Sequence, residues 1–255
     1  MHQLEPMAES DVLLDQLSDQ LAFVNLEKNA LQISTICERA RTLIKELAQR
    51  DKAVVEVIDL IQEMRRLDQT AVSWRRGPEW IFRAIRKVEL VGDASIIARF
   101  PDVTELHPDA WIAYEWNYHR TSRMLMHEQL LTCLRRVSAS NTDDTGEEES
   151  LGPDPLIPSL EMESVATIRA LADSILATVP QMLGDIAADG SIRSATSNPP
   201  KARAIGAYLL LWPIKIIKGF QSSVSDEQRS EAQQVFERIR EYTGMKSLLG
   251  DLSVV

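Results

Sequence analysis

Glu115, His119, Arg123 and His127 stand four residues apart, a spacing that lays them in one slowly drifting row along a helix. A carboxylate, a guanidinium and two imidazoles in such a row would make a ligand-binding or pH-sensitive network, because imidazole changes charge near neutrality. The commoner fate of these groups is to satisfy one another and neighbouring helix ends inside a core. His127-Glu128 opens like the zinc-binding His-Glu-x-x-His pattern, but position 131 is Leu. The second imidazole one turn on is therefore missing, and no metal site is expected.

The acidic run Asp143-Asp144-Thr-Gly-Glu147 has the oxygen-rich composition that hard cations require. It superficially resembles the magnesium motif of helical terpene synthases. The companion Asn-x-x-x-Ser/Thr-x-x-x-Glu pattern fails, because Asn117 and Thr121 are followed at the needed step by Leu125. A charge run flanked by prolines reads as a solvated loop. A phosphate-cradling glycine loop and a nucleophile elbow are also missing. The chain therefore reads as non-enzymatic, with no cofactor implied.

The elements that would position these residues are helical. Ile33, Ile36, Cys37, Ala40, Leu43, Ile44 and Leu47 follow the i, i+3, i+4, i+7 rhythm, and Val54, Val57, Ile58, Ile61 and Met64 repeat it. An earlier helix is expected near 10–24, capped by Ser10 or Asp11. After Gly77-Pro78, the spacing of Trp80, Ile81, Ala84, Ile85 and Val88 predicts another helix. Residues 109–137 lack Gly and Pro and predict the longest one. Its Trp111, Tyr114, Tyr118 and Leu125 fall together, with Met126, Leu130, Cys133, Leu134 and Val137 on the adjoining flank and Asn117, Thr121, Glu128 and Arg135 as a narrower polar stripe, a broad inward coverage that fits a helix surrounded by others. Helices are also expected over 160–183, over 202–219 with a bend at Pro213, and over the final segment opened by a Ser225/Gln228 capping box and stopped at Gly244. No alternating strand is evident. The expectation is an all-α, multi-helix globular bundle with two helical parts, 1–137 and 159–255, joined by an acidic, disordered linker over 138–158.

Composition limits the function. The chain has 255 residues, 44% hydrophobic and 26% charged, which is ordinary for a globular fold. A net charge of −10 opposes direct nucleic-acid binding by this chain alone. Cys37 and Cys133 lie within apolar helical patterns and read as buried free thiols. No basic-then-apolar leader is seen, and the apolar run 204–214 is too short to span a bilayer, so neither secretion nor membrane insertion is expected.

Two segments carry a resemblance. PDAWIAYEWNYHRT, residues 108–121, continuing to MHEQLL at 126–131, resembles a recurrent segment in the regulatory region of fungal zinc-cluster (C6 finger) transcription factors. Gly206–Pro213 (GAYLLLWP), then 228–239, then EYTGMKSL at 241–248, is similar to that family's C-terminal pattern, in the same order. The resemblance covers most of the chain. It implies a helical regulatory domain that acts in the nucleus through protein partners, self-association or a small effector. The family's DNA-reading module needs six cysteines to hold two zinc ions, and this chain has two, so it cannot fold that module. The alternative is a stand-alone helical protein of the cytoplasm, turned to a metabolic pathway, with a small-molecule or catalytic site between helices. The aromatic helix and the Leu-Trp-Pro helix are expected to form the spine through Trp116 and Trp212.

Overall fold

The computed structural model describes residues 21–46, 53–73, 80–140, 156–193 and 201–243. The fold is all-α. Its elements are α1 (Leu21–Glu46), α2 (Ala53–Ser73), β1 (Arg83–Arg86), a 3-10 turn (Lys87–Glu89), the short α3 (Ala94–Ile97), β2 (Val103–Leu106), α4 (Ala110–Ser140), α5 (Leu156–Met182), α6 (Lys201–Gly219) and α7 (Asp226–Thr243). The helix expected near 10–24, the Gly77-Pro78 break, the carboxylates 143–149 and the Gly244 stop lie outside the described residues, α1 itself starting at Leu21. Of the acidic stretch, Ser138–Ser140 still belong to α4, and α5 is under way by Leu156.

The chain forms two compact units, and neither is continuous in sequence. One comprises Met1–Glu79 with Ser122–Thr167; the other comprises Trp80–Thr121 with Ile168–Val255. Helices α4 and α5 each contribute residues to both. In the first unit the predicted periodicity is realised directly. Ile33, Ile36, Cys37 and Ala40 on α1 meet Val57, Leu60, Ile61 and Met64 on α2, and Leu130, Cys133 and Leu134 complete the core from α4. Outside the core, Arg39 donates to Glu63 at 2.7 Å across the α1–α2 pair. Both thiols are buried, and burial pushes each up to about 11, so they pack as small hydrophobes.

In the second unit, residues 80–88 do not form the predicted helix. Arg83–Arg86 pair antiparallel with Val103–Leu106, with Arg83 opposite Leu106. A short apolar run fits a helical period and a strand equally well, and pairing with a partner strand decides it. The burial agrees, because Trp80 is enclosed while Ile81 and Val88 face solvent. Asp93 caps α3 by accepting from the Ser95 backbone N–H at 2.8 Å. Lys87 Nζ then closes the far end, donating to the Ala98 and Phe100 carbonyls. Beneath this hairpin, Ile96, Phe100, Leu106 and Ile186 form a small core.

Helix α5 stops where Gly184 takes a φ of 74°, a left-handed conformation that glycine adopts without strain. Helix α6 crosses close to that stop: a Cβ on Gly206 would sit 1.9 Å from the Met182 carbonyl oxygen, so only glycine fits. The capping box of α7 forms as predicted. Gln228 Oε1 accepts from the Ser225 N–H at 3.0 Å, and the Gln228 N–H donates to Ser225 Oγ at 3.2 Å. Helices α6 and α7 pack closely, with Lys218 Nζ 3.7 Å from the centre of the Phe236 ring.

Three expectations about faces need correction. Trp111 is 61% exposed, held edge-on by Tyr114, and is not part of the inward face. The polar stripe is not a solvent face throughout, since its Asn117 and Thr121 are fully buried. Trp212 is half exposed, so it does not share with Trp116 the role of an internal spine. A wheel shows which residues share a face but not which face a neighbouring element covers.

Candidate functional site

The second unit buries a polar network built on α4 and β2. Arg120 sits in the aromatic part of α4, 3% exposed, where a guanidinium must find acceptors. One terminal nitrogen donates to Glu105 Oε2 at 2.7 Å; the other donates to the Ser174 carbonyl at 3.0 Å and to Asn117 Oδ1 at 3.2 Å. Asn117 Nδ2 then reaches Thr178 Oγ1 on α5 at 2.8 Å. The guanidinium lies 5.0 Å from the centre of the Trp116 ring, whose own N–H is anchored on the Trp80 carbonyl.

His107 joins the network through Glu105. Its Nε2 lies 3.3 Å from Glu105 Oε2, and Nδ1 has no hydrogen-bond partner among the described residues. A carboxylate facing Nε2 requires the proton there, which makes the ring the neutral Nε2–H tautomer. Burial lowers its pKa below 6.5, and Glu105 does not fully offset that. The backbone at His107 is fixed by Gln181 of α5, which accepts from the His107 N–H and donates to its carbonyl, both at 2.7 Å.

Glu105 also forms part of a wall. An open cleft of about 1000 Å³ runs between the 98–105 segment, α5 and the start of α7. Asp102, Glu105, Asp173, Asp226, Glu227 and Glu231 line it together with Arg99. Glu231 reports the crowding: burial, then Asp173, raise its pKa above the ordinary 4.5 although Lys87 pulls the other way. A surface of this kind attracts positive charge.

The row Glu115, His119, Arg123 and His127 is distributed differently. Glu115 is half buried and His119 fully enclosed, both in the second unit; Arg123 and His127 are in the first. None of the four lines the cleft. Arg123 and His127 converge on Asp68 of α2. Arg123 binds it with a two-pronged fork, 2.6 and 2.9 Å, and His127 Nε2 stands 3.3 Å away. Burial pushes the Asp68 carboxyl up, but His127 and Arg123 together outweigh it and hold it well below its ordinary 3.8.

A depressed carboxylate stabilises the fold above its unfolded pKa, and that contribution is lost as pH falls through the folded value. Asp68→Asn is therefore expected to cost stability at pH 6. The gap from the parent should narrow steadily below about pH 4, the ordinary carboxylate range, as read by urea unfolding across pH. A gap independent of pH would remove the linkage.

The sequence reading missed Glu105, His107 and Asp68 as partners, and it treated Arg120 only as part of the aromatic segment. The available signal was Arg120 itself, a permanent charge inside a helix that is apolar nearly all round, which demands a buried carboxylate somewhere in the chain. Among the described residues no group of three or more His, Cys, Asp or Glu is placed to hold a metal ion. Nor is any helix among them long and apolar enough to cross a membrane. No protein-family model, curated protein or solved structure matches the chain.

Proposed function

We propose that the chain is a non-enzymatic regulatory domain of the kind carried by fungal zinc-cluster transcription factors, working in the nucleus through a partner or a small effector. One observation carries this reading: Arg120, within the PDAWIAYEWNYHRT segment that resembles that family, holds Glu105 in the wall of the cleft. An occupant that draws on Glu105 is felt at Arg120 and at the Trp116 ring beneath it. Binding at the surface then biases packing within the unit, which is what an effector with different affinities for two arrangements requires. The carboxylates on the wall favour an occupant bearing positive charge. DNA contact falls to another module, because a chain of net charge −10 repels phosphate.

Fused to a heterologous DNA-binding module in a fungal host, the chain is expected to change reporter transcription relative to the module alone. Asp102→Asn combined with Glu231→Gln should blunt that change while far-UV circular dichroism stays the same. A fusion indistinguishable from the bare module would sink the reading.

A further inference from the structure

Helix α6 presents a second surface, separate from the cleft and independent of what the cleft binds. Ile205, Tyr208 and Trp212 are 53%, 60% and 50% exposed, on a helix whose other side, at Ala207, Leu210, Ile214 and Ile217, is fully enclosed. Helix register places Lys201, Ile205, Tyr208, Trp212 and Lys215 in one line, at steps of four, three, four and three residues. That alternation is the seam spacing of helices that pair side by side. Helix α6 carries Lys201, Arg203, Lys215 and Lys218 and no acidic residue, in a chain that is otherwise strongly acidic.

We propose that this seam docks one amphipathic helix of a partner protein, with apolar residues at the same spacing in its centre and carboxylates at its two ends. The spacing selects a helix as the occupant. Charge selects its sign and argues against a second copy of this chain. Pairing two seams antiparallel sets Lys215 of one against Lys201 of the other, and pairing them parallel sets each lysine against itself. Size agrees. Aromatic side chains bury about 150–250 Å² each when enclosed, so three half-exposed side chains leave roughly 300 Å² of apolar surface. A stable interface between folded proteins needs about 800 Å² per partner, and this strip is one helix wide. An anionic membrane would bring the same charge, and the vesicle arm of the test separates it from a helix.

The test uses the full chain and two labelled synthetic 21-residue helices with leucine at the seam positions, one flanked by glutamates and the other by lysines. Fluorescence anisotropy should show binding of the glutamate peptide and at least tenfold weaker binding of the lysine peptide. Trp212→Ser should weaken the first by tenfold or more. Lys215→Glu, a surface change that leaves folding alone, should shift preference toward the lysine peptide. Equal binding of both peptides, or variants that bind like the parent, overturns the proposal. So does a dimer in sedimentation equilibrium that Trp212→Ser abolishes, which would assign the seam to a second copy. Capture of the chain by phosphatidylserine vesicles without binding of the glutamate peptide overturns it in favour of a lipid surface.

Discussion

Exchanging Arg120 for methionine is expected to lower the melting temperature by about 10 °C at pH 7.5, since breaking a buried ion pair costs about 3–5 kcal/mol and each kcal/mol shifts a domain of this size by about 2–4 °C. Methionine fills much of the same volume against Trp116, so the loss is mainly electrostatic. Glu105, with 8% of its side chain exposed, would lose its strongest partner. The Asn117 and Ser174 acceptors would lose a donor as well. The pH dependence distinguishes this from simple loss of packing. Arg120 is one of the groups that depress His107, so its removal should raise the His107 pKa. Once protonated, His107 can compensate Glu105 from 3.3 Å, and the defect should shrink between pH 7.5 and pH 5.5. Thermal unfolding at the two pH values measures this, and adding Glu105→Gln should recover part of the loss. A deficit that is constant with pH and unaffected by Glu105→Gln would rule out a charge network.

Trp116→Ala is expected to be about as damaging. Trp116 is 3% exposed, stands edge-on to Trp80 at 6.0 Å and to Phe82 at 5.6 Å, and forms the surface on which Arg120 lies. Emptying such a position costs about 3–5 kcal/mol through lost transfer energy and the residual cavity. Trp212→Ala removes the same group from a half-exposed site and should stay within about 0.5 kcal/mol. Urea unfolding of the two variants side by side separates these cases. Equal losses would contradict the burial pattern of α4 and α6. Because Trp116 and Arg120 touch, their effects should not add, and the double variant should be less impaired than the sum.

The helical architecture was legible because α1, α2, α4 and α7 each carry long, regular apolar spacing or an explicit cap. Ile33 through Ala40 and the Ser225/Gln228 pair occupy the places their spacing implies. The 80–88 segment was not legible, because its conformation is decided by Val103–Leu106, some twenty residues on, and local periodicity carries no information about a partner strand. Asn117 and Thr121 misled for a related reason. Polar residues mark a solvent face only when no partner is buried with them, and here Asn117 bonds Thr178 and Arg120 while Thr121 donates to the Asn117 carbonyl. The row Glu115 to His127 was correctly seen as helical spacing, but Asp68 and Glu105, which give Arg123 and Arg120 their roles, come from distant segments.

The interleaving of the two units bears on how the protein is made. Residues 80–121 leave the ribosome well before α5, α6 and α7, yet the partners that complete Arg120, Asn117 and His107 are Ser174, Thr178 and Gln181 respectively. At synthesis rates of about 5–20 residues per second, residues 80–121 wait about 2–9 seconds for residues beyond 168. Through that interval an arginine, a glutamate and two tryptophans destined for the interior, Trp80 and Trp116, remain open to water and to chaperones. Slow codons between 121 and 168 would lengthen the exposure, and a chain truncated before Gln181 should emerge as a chaperone-bound species.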